Sequence, residues 1–154
     1  MSDGSAAEDA LRTIRSVDDA RQQTRNLSSA LLDTIAVQGR TSEPGPRVGL
    51  CEEDPERERL FKMGHTWSLS RASLADLEQG MDRLRQELPR QGWELVGDGI
   101  ENNANRSPYL TFDNTDIEYS VNVSLASDPE PMLVVTVVSA CFSTPEGESP
   151  RGQY

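Results

Sequence analysis

From Ile117 to Leu125 apolar and polar residues alternate without a break: Ile117, Tyr119, Val121, Val123 and Leu125 on one side, Glu118, Ser120, Asn122 and Ser124 on the other. A two-residue period of this kind belongs to a strand with one wet face and one buried face. A chain that contains such a strand must also supply neighbours for its edges and a cover for its apolar side. The rest of the sequence can be searched for both.

Neighbours are present. Phe61, Met63, His65, Trp67 and Leu69 alternate with Lys62, Gly64, Thr66, Ser68 and Ser70, which predicts a second half-buried strand. Trp93–Val96 and Tyr109–Phe112 are shorter candidates, and Asp113–Asp116 has the composition of a hairpin turn. After the turn at Ser127–Pro131, the run Met132–Ala140 is apolar on both faces apart from Thr136 and Ser139. That pattern predicts a central strand covered on both sides.

The cover is a helix. Ser73 with Asp76 three residues on forms an N-terminal capping pattern, and Leu74, Leu77, Met81, Leu84 and Leu88 fall on one side, with Gly92 as the stop. An amino-terminal helix is also expected. Ser5 and Glu8 match a capping box, Leu11, Ile14, Val17, Ala20, Thr24, Leu27, Leu31 and Ile35 draw one narrow stripe, and Gly39 is placed to end it. Ser16 followed by Val17, Asp18 and Asp19 is a second possible start, so one helix or two remain open. This helix is the candidate cover for the second face of Met132–Ala140.

The expected organisation is a helical segment over 1–40, a linker and charged loop over 41–60, an α+β domain over 61–142 and a disordered tail over 143–154. The fold class is a two-layer α+β sandwich: a mostly antiparallel five-stranded sheet with one packed helix, in the order β-α-β-β-β-β, preceded by the long amino-terminal helix. That order is similar to the helix-grip and TATA-binding-protein-like folds, which serve many functions.

The balance of 15 basic against 26 acidic residues leaves a net charge of −11, and no basic stripe is present. Nucleic acid and anionic membrane surfaces are therefore poor partners. No run has the length and apolarity of a membrane span, and charge, not an apolar core, follows Met1. A soluble chain is expected, either cytoplasmic or an exported domain after removal of a signal.

Chemical signatures are few. The Glu52–Arg59 run lacks the spaced ligands and central glycine of a calcium loop. No phosphate-binding glycine loop or Gly-x-Ser-x-Gly elbow occurs, so no enzyme, cofactor or metal is expected. His65, the single histidine, lies on an apolar strand face beside Trp67, where a hydrogen-bonded core histidine is the plain expectation. The pairs Asp113/Asp116 and Glu94/Asp98 are solvated turn and strand-edge residues on the same reasoning. A ligand pocket, if the domain has one, is expected among His65, Trp67, Trp93 and Tyr109.

Cys51 and Cys141 bracket the expected sheet. In an oxidising compartment a bond between them would close a loop of about 90 residues and stabilise by roughly 4–5 kcal/mol in the chain-entropy model. Two unrelated thiols are the alternative.

Cys51, the strand through Gly64-His65-Thr66-Trp67-Ser68-Leu69, the Leu/Met helix closing on Gly92-Trp93, and Val137-Val138-Ser139-Ala140-Cys141-Phe142 together resemble a family of secreted lipoproteins from high-GC Gram-positive bacteria. The resemblance spans Cys51 to Phe142 and carries no assigned activity. It implies the Cys51–Cys141 disulfide, a cell-envelope or extracellular location, and a membrane link only through a lipid anchor on a removed precursor segment. No lipobox stands in the chain itself. The function expected is a non-catalytic envelope domain whose partner is another envelope protein, with a small-ligand carrier or sensor as the alternative. Pairing of the amino-terminal helix with its copy would make a homodimer.

Overall fold

The structure is a computed structural model that describes residues 12–42, 45–54, 58–102, 104 and 106–153. The Ser5/Glu8 capping pattern and Leu11 lie outside the described residues. Helix α1 (Val17–Ile35) starts at the second of the two expected positions: Ser16 is extended and its hydroxyl accepts from Asp19 N at 3.0 Å. Asp18 and Asp19 place negative charge at the positive end of the helix. The helix stops earlier than Gly39, at Ala36 in the left-handed region (φ 55°), whose N–H donates to Leu32 O. Gly39 has another task. A Cβ there would fall 2.4 Å from Ser70 O, so only glycine allows the chain to pass this close to the sheet.

Among the described residues, eight strands form one antiparallel sheet, three more than expected. They are β1 (Arg40–Thr41), β2 (Arg47–Gly49), β3 (Leu60–Ser70), β4 (Glu94–Ile100), β5 (Pro108–Asn114), β6 (Tyr119–Ala126), β7 (Met132–Ser139) and β8 (Phe142–Ser143). The order across the sheet is β1-β3-β7-β6-β5-β4, with β2 and β8 also pairing with β3. The five expected strands are the long ones. The three additional strands have two or three residues each, too few to show a period: β1 and β2 dock on the outer edge of the 11-residue β3, and β8 continues the pairing of β7 on its other side.

Helix α2 (Leu74–Glu87) follows the expected pattern: Ser73 accepts from Asp76 N at 3.1 Å, and Leu77, Met81 and Leu84 are buried. Leu74 is on the rim, 37% exposed. A 3-10 turn (Leu88–Gln91) ends at Gly92, whose φ of 97° suits a residue without a side chain. On the sheet, Leu110, Phe112, Val121, Val123, Leu133, Val135 and Val137 form the wall opposite, all buried.

Helix α1 lies beside α2 on this same face and does not cover the second face of β7. Its Thr24 and Ser28 touch Tyr119 of β6 and His65 of β3, both inward-facing residues. The two helices meet where α2 carries Gly80: a Cβ there would fall 2.8 Å from Ile35 Cγ2. Arg83 Nη1 donates to Ile35 O at 2.6 Å across this seam. The double-sided apolarity of β7 is thus only half used. Leu133, Val135, Val137 and Ser139 are buried, whereas Met132, Val134, Thr136 and Val138 are half-buried on a face of small polar residues. There Gly97, Thr111, Asn122, Thr136 and Thr66 stand in one row across five strands. Asn122 Nδ2 donates to Thr111 Oγ1 at 3.0 Å, and the Thr66 and Thr136 hydroxyls are 3.2 Å apart.

The carboxyl-terminal segment is also placed differently from expectation. Ser143, Thr144 and Pro150 are buried, Thr144 N donates to Arg59 O at 2.8 Å, and Arg21 Nη2 of α1 donates to Gln153 O at 2.8 Å. Ser143 pairs in parallel with Ile14 through bonds to Thr13 and Arg15. Composition points to disorder, but the anchoring uses backbone groups, which leave no periodic trace in sequence.

Candidate functional site

Thr24 and Ser28 sit one helical turn apart on the buried side of α1, among Val17, Ala20, Leu31 and Ile35. Polar groups in such a place need partners, and both find them on the sheet. Thr24 Oγ1 donates to Ala20 O at 2.8 Å and lies 2.7 Å from the Tyr119 hydroxyl. Burial pushes the Tyr119 phenol above its ordinary pKa of 10.0, against the opposing effects of the Thr24 bond and the Arg15 charge. Ser28 Oγ is 2.7 Å from His65 Nδ1, with the donor set by the imidazole tautomer. The expected hydrogen-bonded histidine is therefore matched by a serine 37 residues earlier in the chain.

Beside this pair, between α1 and the edge of β3, opens a cavity of about 270 Å³. Helix α1 supplies Arg25, Ser28, Ser29 and Leu32, and β3 supplies His65 and Trp67. Thr41, Ser42, Gly45 and Pro46 close the third side. That side is tied in place twice. Ser42 exchanges bonds with Ser68, N to O at 3.1 Å and Oγ from N at 2.9 Å, and Arg21 Nη1 donates to Pro46 O at 2.9 Å.

Trp67 is 4% exposed, yet its indole Nε1–H is buried and meets no acceptor among the described residues. An unmatched buried donor costs on the order of 1–3 kcal/mol. Arg25 likewise makes no hydrogen bond or ion pair among the described residues. The arrangement is a small polar concavity rich in donors, with apolar wall from Leu32, Pro46 and Trp67.

Two of the four residues expected to line a pocket are here, His65 and Trp67. The other two are elsewhere. Trp93 is buried at the end of the 3-10 turn, its N–H donating to Leu88 O at 3.1 Å. Tyr109 is on the opposite face of the sheet, where Cβ atoms on Gly97 and Gly99 would fall 3.2 and 3.3 Å from its ring. The alternation already separates Tyr109 from Phe112 by face. Ser28 and Arg25 are additions to the expected set, and a serine one turn after Thr24 on an apolar stripe is the trace in the sequence that a polar partner exists.

The sulfurs of Cys51 and Cys141 are 1.99 Å apart, bonding distance, with Cα atoms 6.2 Å apart. Glu53 lies near enough to join them as a metal ligand set, but sulfurs bonded to each other offer no thiolate. The loop after Cys51 is held by Asp54, whose Oδ2 accepts from Arg59 N and Leu60 N at 2.8 Å each. Desolvation opposes ionisation of Asp54, but these backbone donors outweigh it and hold its pKa below the ordinary 3.8. Two of the four other carboxylate candidates have structural partners: Asp98 accepts from Arg85 Nε at 2.8 Å and Asp113 from Ser120 Oγ at 2.6 Å.

No helix among the described residues is long and apolar enough to cross a membrane. No known protein family matches the chain, and neither the curated proteins nor the solved structures contain a match.

Proposed function

We propose that this chain is a non-catalytic domain of the cell envelope or extracellular space that binds a small ligand in the cavity between α1 and β3. The observation that carries this reading is the cavity of about 270 Å³ walled by Trp67 and by a Ser28–His65 pair held at 2.7 Å. Binding is favoured over turnover because Ser28, 7% exposed and in mid-helix, serves as a pin between helix and strand. It is favoured over a protein-docking helix because the apolar stripe of α1, the motive for that reading, faces the sheet of its own chain. The Cys51–Cys141 bond supports a non-reducing compartment, in keeping with the resemblance to secreted lipoproteins.

A fragment screen followed by amide and indole chemical shifts tests the binding reading. Hits that move Ser28, His65 and Trp67 resonances, and that vanish in His65→Ala, are expected. Hits scattered over the surface, or none, would remove it. Thiol titration of protein taken from its native cells tests the compartment separately, with both sulfurs blocked as the expected result and two free thiols as the adverse one.

A further inference from the structure

Resting on the binding reading above, we infer that the ligand is a small organic carboxylate, its anionic group meeting Arg25 and its apolar part lying against Leu32, Pro46 and Trp67. The chain carries 26 acidic residues, yet among the described residues that line the cavity there is none. What lines it is a set of donors. Arg25 has no acceptor among the described residues, and the Ser29 and Thr41 hydroxyls make no hydrogen bond to a described residue. In a protein of net charge −11, a guanidinium that has no carboxylate partner among the described residues, beside a cavity whose described lining holds no carboxylate, suits an anion.

The charge and volume narrow the class. One guanidinium balances one negative charge, which suits a monocarboxylate better than a phosphate dianion. A cavity of about 270 Å³ is below the range for drug-sized ligands and fits a molecule with one ring or a short chain. The Trp67 ring supplies apolar wall beside the charge, which suits an acid with an apolar body better than a bare anion.

The test uses the full chain with three carboxylates of increasing apolar size, acetate, benzoate and indole-3-acetate, each beside its neutral primary amide. Binding is read from the Trp67 indole N–H shift and by calorimetry. At least one acid is expected to shift that resonance and to bind about tenfold or more tightly than its amide, the size of a charge-assisted hydrogen bond. Arg25→Gln, at an exposed helix position, is expected to keep the fold and to remove that advantage. Trp67→Phe is expected to weaken acid and amide alike. Equal affinity for acid and amide, or unchanged acid binding in Arg25→Gln, overturns the carboxylate inference and leaves the pocket standing. The carboxylate inference is equally overturned if none of the acids binds while neutral fragments still move Ser28 and His65. If no molecule of any kind moves those resonances, the binding reading fails and this inference falls with it.

Discussion

The two helices occupy the same face of the same sheet but bury different chemistry. Helix α2 presents Leu77, Met81 and Leu84, with Gly80 at the seam, and no polar side chain in its buried stripe. Helix α1 presents Val17, Ala20, Leu31 and Ile35 interrupted by Thr24 and Ser28. The first makes the core; the second makes a core at its ends and a hydrogen-bonded contact in its middle, and the cavity opens beside that contact. Under the binding reading proposed above, stability and recognition are divided between two neighbours on one face of the sheet.

The division is most severely tested by putting a charge into the apolar stripe. Met81→Asp would bury a carboxylate without a partner, a loss above about 4 kcal/mol against a typical total of about 5–15, and we expect an unfolded domain by circular dichroism. An unchanged melting temperature would show that α2 is not the structural helix. Next in size is the seam. Gly80→Ala places a methyl 2.8 Å from Ile35 Cγ2, and we expect about 1–3 kcal/mol of destabilisation in urea titration, since both helices must separate to admit it.

The smallest effect belongs to the polar stripe and sharpens the contrast by its pH dependence. Tyr119→Phe removes the hydroxyl between Thr24 and Ala20 O, an expected loss of about 1 kcal/mol at neutral pH. Burial raises the Tyr119 pKa, so its folded-state preference for the neutral phenol is constant below the unfolded value of 10.0. That stability is lost as the pH rises through the folded pKa, because only the unfolded chain ionises freely. Wild type should therefore lose stability above about pH 10 faster than Tyr119→Phe, measured by melting temperature across an alkaline series. Parallel curves would show that the phenol is not shielded by α1.

What is legible in the sequence follows the same division. Helix α2 and the five long strands announce themselves because their burial is periodic, as in Val121, Val123 and Leu125 or in Leu77, Met81 and Leu84. Strands β1, β2 and β8 have no period to read: β1 and β2 take what β3 has free along its outer edge, and β8 follows β7 on the other side. The apolarity of Val134 and Val138 points to a second cover and so misplaces α1, whereas the preference of β-branched residues for strands explains both valines without one. Half of the site is legible, since His65 and Trp67 share a strand face. Ser28 and Arg25 are not, because nothing local in α1 says which strand it will meet.

The Cys51–Cys141 bond has a mechanical consequence. The flanking chain enters beside Ser143 through Thr13 and Arg15, so opposing tension on the two sides first opens that pairing and then runs through α1, β1 and β2 to the sulfur bridge. Strands β3 to β7 and α2 lie inside the covalent ring, off the path of the load. Because Val17, Ala20, Leu31 and Ile35 of α1 belong to the core, a pull on the two sides would load part of the core outside the ring before the elements that the bond encloses.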